Sequence, residues 1–126
     1  MEENRERPLA HVRKKAGGEA LANAAIAYMK RHRTDKFSLQ EMADALFVNG
    51  SYLLRTFKRY TGCTPLAYHH HLRCEYAKEL LVQTNQSVSE IGEAAGFVSS
   101  SHFSHIFKKM EGCTPTEYRM YHQETE

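Results

Sequence analysis

Two segments of this chain repeat one another in register, and that repetition constrains the fold more than any other feature. Ser51-Tyr-Leu-Leu-Arg-Thr-Phe-Lys-Arg-Tyr-Thr-Gly-Cys-Thr-Pro-Leu-Ala-Tyr68 is followed, fifty residues on, by Ser101-His-Phe-Ser-His-Ile-Phe-Lys-Lys-Met-Glu-Gly-Cys-Thr-Pro-Thr-Glu-Tyr118. Ser, Phe-Lys, Gly-Cys-Thr-Pro and Tyr return at matching places. Two copies are too few for a solenoid, which needs about three repeats to bury a continuous core. A tandem pair of small helical units is the architecture that fits. Two joined units present one kind of surface twice, to a target that itself repeats.

The 126 residues suffice for one domain with a modest core, and 41% hydrophobic with 25% charged residues is ordinary globular composition. No apolar run approaches the roughly 18 residues of a membrane span. Met1-Glu-Glu-Asn-Arg-Glu-Arg-Pro8 offers no secretory signal, and three cysteines are an odd count for a disulfide scaffold. The expectation is a cytoplasmic, nucleoid-associated protein with free thiols.

The net charge of +2 says little, but its distribution is segregated. Residues 51–60 hold Arg55, Lys58 and Arg59 and no acid. Residues 99–110 hold His102, His105, Lys108 and Lys109 and no acid. The acids Glu41, Asp44, Glu90 and Glu93 stand in the segments just before. The repeated segment is thus the basic one, the arrangement expected of a surface that meets nucleic acid.

Local signals divide the chain into seven helices, with no sustained alternation of period two, so the class is all-α. Residues 1–18 read as a flexible arm ending in Ala16-Gly-Gly18. A first lobe spans about 19–63. Its first helix runs from Glu19 to about His32, with Leu21, Ala24, Ala25, Tyr28 and Met29 on one face. Ser38 and Glu41 form a capping box before the second helix, and Phe37 with Met42 a hydrophobic staple. Asn49 caps a third helix that Gly62 ends. Thr64-Pro65 opens a connecting helix over about 65–84, roughly 30 Å long at about 1.5 Å per residue. The second lobe, about 87–122 within a domain of 19–123, repeats the scheme. Ser87 and Glu90 form a capping box, Gly96 a break, Ser99 or Ser100 a cap, and Gly112 a stop. Thr114-Pro115 starts a short last helix.

Each repeat therefore reads as helix, tight turn, helix, with Ala43 and Gly92 small enough for a close crossing. That is the helix-turn-helix arrangement, whose second helix enters a major groove. At about 100° per residue, Leu53, Phe57 and Tyr60 fall on one side of the third helix, and Ser51, Arg55 and Lys58 on the other, with Leu54 at the margin. The sixth helix places Phe103, Phe107 and Met110 inward, Ser101, His105 and Lys108 outward, and Ser104 at the margin. One such helix is usually a solvated face. Two in repeat register, each behind a capped helix and a tight turn, point to DNA.

These residues resemble the AraC/XylS-type transcription regulators. The signature lies in Ile91-Gly-Glu-Ala-Ala-Gly-Phe97, Phe103, Phe107-Lys108, Gly112, Pro115 and Tyr118-Arg119. The first copy matches through Leu39, Met42-Ala43, Ser51-Tyr-Leu53, Arg55, Phe57-Lys58, Thr61-Gly62, Pro65 and Tyr68. Arg73, Ala77 and Leu80-Leu81 look like the family's connecting helix. The resemblance covers about residues 19–122.

It implies a two-lobed domain offering one recognition helix per lobe to adjacent major-groove segments of double-stranded DNA. The implied base-reading positions are Ser51, Leu54 and Arg55, then Ser100, Ser101, His102, Ser104 and His105. Lys58, Arg59, Lys108 and Lys109 are expected at phosphates. His105 stands where the family often has Arg, Leu54 where it often has a polar residue, and Phe47 where it often has a turn glycine. A turn without positive φ is expected at Phe47. The resemblance also brings RNA polymerase, for an activator, and a sensor or receiver domain as partners. The chain is read either as a fragment of a longer regulator or as a stand-alone one, monomeric as an isolated domain.

Other signals carry less. His69-His70-His71 point in three directions on a helix and cannot converge on one ion, so a solvated stretch is expected and no metal site. Cys63 and Cys113 occupy equivalent places in different lobes and are not expected to pair, and Cys74 reads as a core residue. No cofactor motif and no catalytic constellation is recognisable, so enzyme activity is not expected. The competing readings are a helical protein-interaction module and a thiol- or redox-responsive regulator using the same lobes.

Overall fold

A computed structural model describes residues 17–123 of the chain. Among them are seven α-helices and no strand: α1 Gly17–Arg31, α2 Leu39–Ala45, α3 Gly50–Thr61, α4 Pro65–Gln83, α5 Val88–Ala94, α6 Ser100–Glu111 and α7 Pro115–Gln123. Most of the arm expected over 1–18 lies outside the described residues. Its last two members do not behave as an arm, because Gly17 and Gly18 form the first turn of α1. A β-carbon on Gly18 would fall 2.1 Å from the Tyr60 ring, so a bare backbone is what lets that ring lie against α1.

The described residues separate into two compact units, one of residues 17–31 with Phe37–Tyr68, the other of His32–Lys36 with residues 69–123. The first buries Leu21, Ala22, Ala25 and Met29 of α1 against α3, with Met42, Ala43, Leu53 and Phe57. Tyr60, expected inward, is half-exposed, and Thr56 takes a buried place on α3 instead. In the second unit Cys74, Ala77, Leu81, Ile91, Ala95, Phe97, Phe103 and Phe107 form one core. Met110, also expected inward, is partly exposed, and Ile106 packs on the core in its stead.

Local capping chemistry sets most helix ends. Ser38 Oγ accepts from Glu41 N–H at 3.1 Å, and Asn49 Oδ1 accepts from Tyr52 N–H at 2.7 Å. Ser87 and Glu90 close a full capping box at α5, as do Thr114 and Glu117 at α7. Gly62 and Gly112 end α3 and α6 in the left-handed region, both at φ 84°.

Two further expectations fail. Phe47 does adopt positive φ, at 62°, in the turn between α2 and α3, matching Gly96 at φ 95° between α5 and α6. The turn keeps its geometry because Val48 N–H still donates to Ala43 O, as Phe97 N–H does to Gly92 O. The bulky residue carries the strain, and its side chain projects into solvent, 76% exposed. Nor is the histidine run uniformly solvated: His69 is buried, His70 half-buried and only His71 exposed. Helix α4 buries residues on several sides, with Leu72, Arg73 and Cys74 consecutive among them, so no one face is reserved for water.

Candidate nucleic-acid interface

Helices α3 and α6 carry the candidate surface. Each is 12 residues long, N-capped by a side chain and stopped by a left-handed glycine. On α3, Ser51, Leu54, Arg55, Lys58 and Arg59 are all exposed, opposite buried Leu53, Thr56 and Phe57. On α6, Ser100, Ser101, His105, Lys108 and Lys109 are exposed, while His102 and Ser104 are half-buried. Neither outward face presents a free carboxylate. The one acid of α6, Glu111, is turned to Lys78 Nζ at 3.3 Å, which also holds Glu75 at 2.7 Å.

The close approach that aims α6 is built at Gly92. A β-carbon there would lie 2.9 Å from Phe103 Cδ2 and 3.0 Å from Phe103 Cβ. In the first unit Ala43, fully buried, takes the corresponding place. Behind α6, the Phe97 ring stands 5.0 Å from Phe103 and 5.8 Å from His102, between ring centroids, and His102 stands 5.8 Å from His70. His102 is therefore packed along one edge, and its Nδ1 is buried without a hydrogen-bond partner among the described residues. Burial, then the nearby His102, Arg73 and Lys109, holds His70 below the usual histidine range.

A second layer braces this unit. Buried Arg73 donates from Nε to Arg33 O at 2.8 Å and from Nη2 to Asp35 O, and its guanidinium lies over Phe97. His69 Nε2 donates to His32 O at 3.3 Å, and burial, with Arg73 and His70 adding charge repulsion, lowers its pKa to about 4. Arg119 closes the far end of α4, donating to Leu81 O and Thr84 O. The Cys74 thiol is pushed up to about 12, by burial first and then the Glu111 carboxylate, which keeps it protonated and a poor nucleophile.

The sequence reasoning missed one exposed residue beside α6. Ser38 and Ser87, and Ala43 and Gly92, are spaced one residue less than the caps Asn49 and Ser99. The extra residue is Val98, inserted after Phe97 and just before the cap of α6, and it is 88% exposed. The slip in spacing between the two copies was the signal that could have found it.

Two turns of this kind, each delivering a capped helix whose outward face is basic and free of acids, define a tandem helix-turn-helix protein. A helix-turn-helix domain family model matches residues 42–121. An AraC-type DNA-binding-domain transcriptional regulator from Chromobacterium violaceum superposes with a TM-score of 0.78 at 33% identity, over 86% of this chain and 96% of that one. The DNA-binding domain of AdpA, solved in complex with a target DNA, shares the fold with a TM-score of 0.77 at 24% identity, over 83% of this chain and 95% of that one. The MmsAB operon regulatory protein of Pseudomonas aeruginosa is 34% identical over 70 residues, 56% of this chain and 23% of that protein. The chain belongs to the AraC-type family of helix-turn-helix transcription regulators. It spans between 23% and 33% of the length of the first curated relatives it matches. No helix among the described residues is long and apolar enough to cross a membrane.

Proposed function

We propose that this chain binds double-stranded DNA sequence-specifically, as a monomer, by placing α3 and α6 in successive major-groove segments. The observation that carries the reading is the pair of exposed, acid-free faces on α3 and α6, each delivered by a short helix and a tight turn. In this reading Arg55 forks onto a guanine edge, and Ser51, Ser100, Ser101 and His105 bond to bases. Leu54 meets a thymine methyl, and His102 and Ser104 contribute from recessed positions. Lys58, Arg59, Lys108 and Lys109 neutralise phosphates, helped by the N-termini of α3 and α6. The two faces differ in sequence, so the target is a continuous, non-palindromic site of about 20 base pairs. RNA polymerase and a sensor or receiver domain complete the proposed set of partners, as in an activator.

Selection of bound sites from a random duplex pool, followed by binding curves at rising salt, tests this. A single asymmetric site bound by one chain, with affinity falling steeply with salt, is the expected result. Salt-insensitive binding, a palindrome filled by two copies, or no enriched site would overturn it.

A further inference from the structure

We infer that Val98 is a thymine-reading residue, packing its isopropyl group on the 5-methyl of one thymine beside the serines that open α6. The inference rests on the DNA-binding reading above and adds to it a side chain that neither face of a recognition helix contains.

Val98 is the one residue by which the second turn exceeds the first. The hydrogen bonds of the two turns run in step as far as Val48 N–H to Ala43 O and Phe97 N–H to Gly92 O. They come back into step at the caps, where Asn49 accepts from Tyr52 N–H and Ser99 from His102 N–H. Between these fixed points the second turn must bulge, and Val98 occupies the bulge. Its neighbour Phe97 is drawn into the core, 6% exposed, so consecutive residues point opposite ways and Val98 is left 88% exposed. A helix-turn-helix meets base edges with the N-terminal part of its second helix. Val98 immediately precedes that end, followed by Ser99 as cap and by exposed Ser100 and Ser101. In the major groove, the one apolar group a base pair offers is the thymine methyl. A β-branched side chain with few rotamers loses little freedom on meeting it. The hydroxyls can bond to several bases and discriminate weakly, so a methyl contact next to them would sharpen the site.

The test uses the duplex site selected by the full chain, with each thymine in turn replaced by deoxyuridine, which lacks only the 5-methyl. For the unaltered protein, one replacement should weaken binding about fourfold, the loss expected for one buried methyl-sized group. Val98→Ala should lose a similar factor on the unmodified site and be indifferent to deoxyuridine at that same position. Because Val98 touches little of the core, its melting temperature should be unchanged. Unaltered affinity in Val98→Ala, sensitivity to deoxyuridine retained there, or no sensitive thymine at all would overturn the inference while leaving DNA binding intact. Failure to enrich any duplex would remove the DNA reading itself, and this inference with it.

Discussion

The ring of Phe103 occupies the space that a side chain on Gly92 would need. The approach is 2.9 Å to Cδ2 and 3.0 Å to Cβ, tighter than a real β-carbon tolerates. Phe103 Cβ is fixed to its own helix, so the conflict cannot be relieved by swinging the ring alone. Gly92→Ala should gain the usual helix preference of alanine, about 1 kcal/mol, and lose more to overpacking, about 1–3 kcal/mol. A net loss of about 1 kcal/mol in urea melts is expected, with weaker DNA binding as α6 is displaced. A more stable variant would show that the crossing has slack.

Phe47 and Gly96 are the same turn position solved by different residues. At φ 62° a phenylalanine is strained, and at 76% exposure it recovers little by burial. Phe47→Gly should therefore raise stability by about 1 kcal/mol. The reciprocal change should not be tolerated, since a β-carbon on Gly96 would stand 2.7 Å from the Thr34 carbonyl oxygen. Thermal melts of both variants give the comparison. Destabilisation of the first would mean that the exposed ring makes a contact worth more than the strain.

His69 makes stability depend on pH with a definite sign. Its folded pKa of about 4 lies below the ordinary 6.5, so the unfolded chain takes up a proton that the folded chain refuses. The stabilisation is fully present above about pH 6.5 and is lost as pH falls toward 4, by at most about 3 kcal/mol. His70 shifts in the same direction. Denaturant midpoints at pH 7, 6 and 5 should fall, and His69→Gln, which can still donate to His32 O, should flatten the decline. Equal pH slopes in the two proteins would contradict the assignment.

Arg55 and Lys58 should fail differently. Both are exposed on α3, three residues apart. Arg55→Ala is expected to relax preference at one or two base positions, costing about 1–3 kcal/mol of discrimination. Lys58→Ala should weaken all duplexes alike and reduce the salt slope by about 1. Binding to matched and scrambled duplexes at several salt concentrations separates them. Unchanged preference in Arg55→Ala would remove α3 from the role of base reader.

Where local chemistry decides, the fold was readable before the structure. Ser38, Asn49, Ser87 and Thr114 bond to backbone three residues on, and Gly62 and Gly112 end their helices alone, so each signal sits within one turn of its effect. The outward placement of Arg55, Lys58, His105 and Lys108 followed from helical period alone. What escaped was set by partners distant in sequence. Gly18 packs bare backbone against the distant Tyr60 ring, and His69 is buried with a hydrogen bond to His32, 37 residues away. The strain at Phe47 escaped for another reason: the turn's hydrogen bonds outweigh one unfavourable residue, and propensity cannot weigh a whole turn.

The Arg73 side chain gives the duplication an unexpected grammar. Its acceptors, the carbonyls of Arg33 and Asp35, lie 40 and 38 residues upstream, on the far side of both α2 and α3 in the chain. The second unit thus borrows five residues, His32–Lys36, from the stretch that separates α1 from α2. A gene cut between the two copies would hand over α6 without the loop that braces its support. The repeat looks like two interchangeable cassettes, yet the later one is written in two places, and only a chain that keeps both can complete it.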